Sequence, residues 1–345
     1  MVSNYLSTKI KYLSFISIIM VVYIHSTNLT ATHGDLDINV FVQNFIGQGI
    51  TRIAVPMFFA ISGFLFFNNF KPSSETFFHK ARNRTYSLAL PYLIWSIWGL
   101  FFFYSLQCIP MSKGFFANQL ITNYTIPQIL NTIFINPLPY QFWFIRDLII
   151  YTILSPLIYL LISRLSYFSL IPFFVLWCFG IPLIFISNEG ILFFSFGSAL
   201  ALKPIPILIK LSKRAVIIVS LLWIAVTVAD TILISQNYVG VAYLHKVGLL
   251  LGLGSMWFGY DLVKHTDSDK LLWLSRFTFF IFAAHEPILI VFKKVLLKIF
   301  GVSVPGSLAT YLIAPLFTII TTLGLAYLLR RFIHPIYRVL VGGRI

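Results

Sequence analysis

The chain has 345 residues, of which 59% are hydrophobic and 10% are charged, and its mean hydropathy is +0.89. A soluble domain carries about 25% charged residues, so this composition excludes an ordinary water-soluble fold. The net charge of +15 does not indicate a nucleic-acid partner, because Lys and Arg lie in short gaps between apolar segments, where they orient membrane helices. Cys108 and Cys178 have no second ligand at metal-binding spacing, so we expect neither a metal site nor a disulfide framework. We also expect no permanently bound cofactor.

Apolar segments long enough to cross about 30 Å of hydrocarbon recur along the whole chain. They lie near residues 10–28, 50–68, 86–106, 143–162, 167–187, 190–207, 214–235, 242–263, 273–296 and 307–329. Each should be a helix, because a backbone in lipid must satisfy its hydrogen bonds within its own segment. The sequence therefore predicts an all-α bundle of about ten transmembrane helices surrounded by membrane lipid. We expect a single membrane-embedded domain over residues 1–345.

The distribution of basic residues predicts the orientation of this bundle. If the N-terminus is cytoplasmic, eighteen of the 25 Lys and Arg residues fall on the inner side and seven on the outer side. Because basic residues concentrate in cytoplasmic loops, both termini are expected to be cytoplasmic. The outer trio Lys293, Lys294 and Lys298 runs against this rule.

The apolar run 15–24 in the first predicted helix is followed directly by a histidine. At about 1.5 Å per residue, His25 lies about 21 Å beyond Lys11, near the outer side of the membrane. An imidazole there could take a proton from a hydroxyl group, since its ordinary pKa of about 6.5 suits base chemistry near neutral pH. The alternative is a structural histidine that reaches the outer interface.

Further charged residues lie at both membrane faces. Arg52 opens the second predicted helix, and Arg146-Asp147 follows Trp143 at the start of the fourth. These outer residues could orient a polar substrate or form an internal ion pair. On the inner side, Lys80, Arg82 and Arg84 could bind the phosphates of a nucleotide-containing donor, or they could simply set topology.

His285-Glu286-Pro287 lies about ten residues into the ninth predicted helix, near the middle of the membrane. A Glu beside a His is costly at that depth and by default indicates a functional site. Proline in a helix interior removes a backbone hydrogen bond and often kinks the helix. A hydrogen-bonded packing pair is the alternative.

Several sequence motifs follow one another in a characteristic order. They are VVYIHS at 21–26, VPMFFAISGFL at 55–65, KARNR at 80–84 leading to Pro91, Tyr92 and Trp95, QFWFI at 141–145, and FIFAAH at 280–285. Together they resemble the acyltransferase-3 family, the integral membrane O-acyltransferases of bacterial surface polysaccharides. The second motif is the most specific match, because it is close to the family's Pro-x-Phe-Phe-x-x-Ser-Gly-Phe segment.

This resemblance implies transfer of an acetyl group from cytoplasmic acetyl-CoA to a hydroxyl of a surface glycan or its lipid-linked precursor, in the inner (plasma) membrane of a bacterium. It implies that His25 is the catalytic base or the group that first takes the acyl group, and that His285 and Glu286 tune or relay the proton. The donor-binding residues that the resemblance implies are Lys80, Arg82, Arg84, Ser62 and Gly63. The acceptor-binding residues that it implies are Arg52, Trp143, Arg146 and Asp147.

One position departs from the family pattern. The arginine usually found eleven residues before the helix-one histidine is Ser14 here, with Lys11 one turn earlier. The alternative function is a transporter or flippase for a lipid-linked sugar, in which the same intramembrane charges would form a coupling path. That alternative predicts an internal repeat, and none is evident in the sequence.

Overall fold

The computed structural model describes residues 3–29, 37–110, 119–203, 209–235, 241–263 and 269–344. Within these ranges every regular element is helical, which confirms the predicted all-α class. Short 3-10 or π-helical turns join several of the α-helices. The α-helices are α1 (Asn4–His25), α2 (Ile38–Asn44), α3 (Ala54–Phe67), α4 (Ser74–Arg84), α5 (Leu90–Cys108), α6 (Ile126–Phe134), α7 (Trp143–Ile153), α8 (Ser155–Leu165), α9 (Ile171–Cys178), α10 (Asn188–Leu202), α11 (Lys213–Ser235), α12 (Val241–Gly259), α13 (Asp269–Ser275), α14 (Thr278–Phe300), α15 (Val304–Phe332) and α16 (His334–Leu340).

Seven helical stretches among the described residues are long and apolar enough to cross a membrane, as a multi-pass protein requires. They are Asn4–His25, Ile38–Phe67, Ser74–Cys108, Ser155–Cys178, Lys213–Ile234, Val241–Leu262 and Val304–Phe332. The count of about ten and the cytoplasmic placement of both termini remain predictions.

The predicted boundaries differ from the structure in several places. The segment 167–187 contains only the 8-residue α9, and the helical stretch long enough to cross a membrane there runs from Ser155 to Cys178. The segment 143–162 is divided between α7 and α8, because Pro156 has no amide hydrogen to continue the helix. The segment 190–207 contains only the 15-residue α10, and residues 204–208 at its predicted end lie outside the described residues. The segment 273–296 corresponds to α14, which begins later, at Thr278, and ends later, at Phe300. This 23-residue helix contains Glu286 and the lysines Lys293, Lys294 and Lys298.

The chain separates into two compact units. The first contains residues 1–71 and 156–324, and the second contains residues 72–155 and 325–345. The expectation of a single domain stays a prediction.

The first unit is organised around a close contact between α3 and α10. A Cβ placed on Gly63 would lie 2.0 Å from the carbonyl oxygen of Phe194, and one on Gly197 would lie 1.9 Å from that of Ala60. Only glycine therefore fits at these two positions, and the two helix backbones touch, as small residues allow in membrane proteins.

The second unit is held by its C-terminal segment. The indole nitrogen of Trp95 donates to the carbonyl of Leu340 at 3.1 Å, which joins α5 to the end of α16. Gly342 and Gly343 both have positive φ values, 63° and 77°, so the chain turns sharply after α16. Arg344 then donates to the carbonyl of Ser87 at 2.7 Å.

Candidate active site

His25 is the last residue of α1 and lies at a well-defined helix end. The amide of Ser26 donates to the carbonyl of Tyr23 at 3.1 Å, and its hydroxyl donates to the carbonyl of Tyr311 at 2.9 Å. These bonds fix the chain immediately after His25. The His25 side chain is half-buried, so it combines a fixed position with access for a reactant.

His285 of α14 lies directly beside His25. The two ring centroids are 5.3 Å apart, and the ring planes are inclined by 31°. His285 is fully buried, with no exposed surface. The structure therefore brings together two of the predicted catalytic residues, one reachable and one buried behind it.

The hydrogen bonds of His285 identify its tautomer. Its Nδ1 lies 2.7 Å from the carbonyl oxygen of Phe282 and 3.1 Å from that of Ile281. Because a carbonyl oxygen only accepts hydrogen bonds, Nδ1 must carry the proton. Nε2 of the neutral ring is then a lone-pair acceptor, and it has no partner among the described residues. An imidazole in this state can receive a proton or a hydrogen bond.

Glu286 and Pro287 follow His285 within the buried part of α14. Only 5% of the Glu286 side chain is exposed, and its carboxylate attracts the ammonium of Lys293 two turns later on the same helix. Pro287 lies inside the helix, where it provides no amide hydrogen for the helical ladder. All three predicted catalytic residues, His25, His285 and Glu286, thus belong to the first unit.

A cluster of amide side chains fixes the chain beyond His25, and none of its members was predicted from the sequence to have a role. The backbone amide of Asn28 donates to Oε1 of Gln43 at 2.9 Å, and the side-chain amide of Gln43 donates to Oδ1 of Asn39 at 2.7 Å. The Ser307 hydroxyl donates to Oδ1 of Asn28 at 2.5 Å. All four residues are buried. Asn39 and Gln43 lie between the first two predicted transmembrane segments, where no motif marked them.

Arg52 also belongs to the first unit. It lies on the 3-10 turn Ile50–Ile53, is exposed, and donates to Gln48 at 2.9 Å. Its positive charge and that of Lys293 both act electrostatically on His25. An anionic or strongly polar group near His25 would therefore be attracted by the positive charge of Arg52.

The predicted donor residues are divided between the two units. Gly63 lies in the first unit at the α3–α10 contact, beside half-buried Ser62. The expectation that Ser62-Gly63 lets helices approach closely matches the backbone contact at Gly63. Contact with a donor molecule stays a prediction.

Lys80, Arg82 and Arg84 lie in the second unit on α4, a polar helix without buried residues. Lys80 and Arg84 are one turn apart on the same face and half-buried, whereas Arg82 is exposed. Burial, together with the positive charge of Arg84, lowers the pKa of Arg344 to about 10, so Arg344 stays charged at neutral pH and adds to the positive potential there.

The predicted acceptor residues Trp143, Arg146 and Asp147 lie together at the start of α7 in the second unit. Arg146 donates to Asp147 Oδ1 from Nη2 at 3.0 Å and from Nε at 3.2 Å, and from Nη1 to the carbonyl of Ile135 at 3.0 Å. Asp147 is fully buried, while 22% of the Arg146 side chain is exposed. These contacts support the ion-pair alternative for Arg146 and Asp147. Trp143 is half-buried.

No basic residue stands at the position of Ser14, where the family usually has an arginine in the first helix. Lys11, considered as a replacement near Ser14, is exposed. The buried cation of α1 is instead Lys9, which is 1% exposed and pairs with Asp261 at 2.9 Å. From the sequence, Lys9 counted among the topology-setting charges, and this pair was missed.

An apolar cavity of about 590 Å³ lies within the first unit. Its wall includes Ile10 of α1, Ile61 and Phe64 of α3, and Trp257 of α12. An apolar chain is compatible with this lining. A polar ligand would be left without hydrogen bonds there, because the lining side chains are apolar.

The fold is that of a multi-pass membrane protein, and the adjacent rings of His25 and His285 form its candidate site of proton transfer. Residues 8–331 match the family model described as Acyltransferase domain (Acyl_transf_3), so the chain belongs to that acyltransferase family. It is also similar to the succinoglycan biosynthesis protein ExoH of Rhizobium meliloti (strain 1021), with 28% identity over 98% of this chain and 92% of that protein. No solved structure gives a significant match. Family membership makes this protein a membrane acyltransferase and disfavours the transporter or flippase alternative.

Proposed function

We propose that this acyltransferase transfers an acetyl group from cytoplasmic acetyl-CoA to a hydroxyl of a surface glycan or its lipid-linked precursor, in the inner membrane of a bacterium. The observation that carries the chemistry is the pair formed by half-buried His25 and buried His285, whose rings lie 5.3 Å apart. The glycan acceptor is supported by the similarity to a protein named for succinoglycan biosynthesis.

In direct transfer, His25 acts as the general base. It takes the proton of the acceptor hydroxyl as that oxygen attacks the thioester carbonyl. The new C–O bond forms, the C–S bond breaks, and the departing thiolate takes the proton from the His25 imidazolium. Alternatively, a neutral His25 ring nitrogen first attacks the thioester carbonyl, the C–S bond breaks, and the thiolate takes the proton from the other ring nitrogen. The acceptor hydroxyl then attacks the acyl-imidazole, the C–N bond breaks, and the hydroxyl proton goes to the released ring.

His285 and Glu286 act behind His25 in this proposal. The acceptor nitrogen of His285 orients the His25 ring or receives its proton, because the two rings are adjacent and His285 is screened from water. Glu286 provides negative charge on the same buried helix. A buried carboxylate favours positive charge nearby, so Glu286 favours transient protonation of the His25–His285 pair.

Donor binding is proposed for Lys80 and Arg84, which share one face of α4 and are reinforced by the charge of Arg344. Two cations one turn apart suit the phosphates of CoA. Arg82 projects to another side of the helix and contributes long-range attraction. Ser62 and Gly63 are proposed to border the path of the acyl group through the first unit.

Arg52 in the first unit and Trp143 in the second are each proposed, from the sequence resemblance, as acceptor-binding residues. Arg52 is exposed and acts on His25, and an aromatic face such as that of Trp143 suits a sugar ring. Arg146 and Asp147 are proposed to hold the acceptor-side segment in place through the bond from Arg146 to Ile135.

The test uses purified protein in lipid vesicles with radiolabelled acetyl-CoA and a glycan acceptor. We expect His25→Gln to reduce transfer by about 10²- to 10⁴-fold, the usual range for loss of a general base, and His285→Gln to reduce it less. His334→Gln serves as the matched control, because His334 is an exposed histidine at the start of α16.

Succinyl-CoA is assayed in parallel, since another acyl donor would leave the catalytic assignment intact and change only the proposed substrate. Equal transfer by the wild type and His25→Gln would contradict the assignment of the base. If neither donor transfers its acyl group and CoA does not bind, the proposed substrate pair is wrong.

A further inference from the structure

Lys293 of α14 contacts the end of α1. Its ammonium donates to the carbonyl oxygen of His25 at 3.0 Å and to that of Thr27 at 2.8 Å. Lys293 is half-buried, and it belongs to the outer trio of lysines that conflicts with the basic-residue rule. These contacts explain why a lysine lies there: it serves a specific helix end rather than topology.

The physical basis is the unsatisfied C-terminus of α1. The last carbonyl groups of a helix have no partner within the helix, and their dipoles give that end a partial negative charge. An ammonium that donates to such carbonyls forms charge-assisted hydrogen bonds, which are stronger than neutral ones. Lys293 thus holds the backbone of the residue whose side chain is the proposed base.

The same helix also provides the ring that meets His25. His285 and Lys293 are eight residues apart, which places them on one stripe of α14. Glu286 lies on this stripe seven residues before Lys293 and attracts its ammonium. Helix α14 therefore fixes His25 at two points, through the imidazole ring and through the backbone carbonyl.

We propose that Lys293 is a positioning residue that sets the orientation of the His25 imidazole for acyl transfer, through its hydrogen bonds to the carbonyls of His25 and Thr27. The proposal rests on the function proposed above for His25. Lys293 does not contact the reacting groups. Its effect is on the turnover of bound substrates rather than on their binding.

The test compares Lys293→Met, Lys293→Arg and Lys294→Met in the full-length protein in vesicles. Met keeps the length and apolar character of the side chain but donates no hydrogen bond, whereas Arg keeps the charge and the donors. Lys294 is the adjacent residue on the exposed side of α14, and it provides the matched control.

We expect Lys293→Met to lower kcat by on the order of 10- to 100-fold, because a catalytic group displaced by about 1 Å loses rate on this scale. KM for acetyl-CoA should stay close to wild type, whereas the thermal midpoint should fall because Glu286 and two carbonyl groups lose a charged partner; all rates are therefore measured well below that midpoint. Lys293→Arg should recover a large part of kcat, and Lys294→Met should leave it unchanged. A wild-type kcat in Lys293→Met, or an equal loss in Lys294→Met, would overturn the proposal.

A second measurement separates this proposal from the proposed function. The rate at which diethyl pyrocarbonate modifies His25, followed by mass spectrometry, requires no turnover. We expect this rate to rise in Lys293→Met, because the ring is less constrained, and to return towards wild type in Lys293→Arg. If the modification rate is the same in all three proteins, Lys293 does not position His25, whether or not acetyl transfer is detected.

Discussion

Lys9 and Asp261 form a buried ion pair in which Lys9 Nζ lies 2.9 Å from Oδ1 and 3.0 Å from Oδ2 of Asp261. The pair joins α1 to the 3-10 turn Tyr260–Leu262 that follows α12. The ammonium also lies 4.3 Å from the ring centroid of Trp257, within the range of a cation–π interaction. The first helix is therefore fixed near its start by electrostatics and at its end by hydrogen bonds around His25.

Lys9→Met should lower the stability of the protein by about 3 to 5 kcal/mol, because removing one partner leaves the other charge buried without compensation. The thermal midpoint of the detergent-solubilised protein measures this effect. Lys11→Met is the control, since Lys11 is exposed on the same helix and should change the midpoint little. The double variant Lys9→Met/Asp261→Asn should be more stable than Lys9→Met alone. A midpoint equal to wild type in Lys9→Met would contradict the burial of this pair.

Gly63→Ala should destabilise the first unit. The added methyl group would lie 2.0 Å from the carbonyl oxygen of Phe194, and a backbone atom cannot move aside as a flexible side chain does. Overpacking usually costs about 1 to 3 kcal/mol, and we expect the upper part of that range. Gly324→Ala is the matched control, because a Cβ added there meets no neighbouring group within 4 Å and alanine favours a helix. Equal thermal midpoints for the two variants would contradict the α3–α10 contact.

Arg146→Lys should lower the thermal midpoint, because an ammonium cannot reproduce the bonds that one guanidinium makes to Asp147 and to the carbonyl of Ile135. Asp147→Asn should do the same, since a charge-assisted hydrogen bond contributes about 1.5 to 3 kcal/mol. KM for the glycan acceptor is measured alongside. A raised KM at an unchanged midpoint would instead assign Arg146 to direct acceptor binding.

The helical class and the approach of His25 to His285 follow from patterns that the sequence displays directly. Long apolar segments must become helices in lipid, and a histidine or glutamate inside such a segment requires a buried partner. The ordered motifs around His25 and His285 likewise indicated that these distant segments share one site. Their resemblance to a known family predicted the family to which the chain belongs.

Other features could not be predicted because they depend on which residues meet after folding. Lys9 and Lys11 are both lysines near the start of α1, yet only Lys9 faces Asp261, which lies 252 positions along the chain. Lys293 conflicted with the charge rule because that rule describes loops, whereas this side chain binds the end of a helix. Hydropathy also did not reveal the break between α7 and α8, since a proline changes the backbone without making a segment polar.

The short helix α10 has a consequence for the membrane itself. Its 15 residues rise about 22 Å, whereas the hydrocarbon layer is about 30 Å thick. The extended backbone at Ser187, just before α10, must be surrounded by protein or water wherever it lies at membrane depth, because lipid cannot satisfy its polar groups. Since α3 touches α10 along its backbone, the path proposed for the acyl group past Ser62 and Gly63 runs beside a helix that is shorter than the hydrocarbon layer is thick.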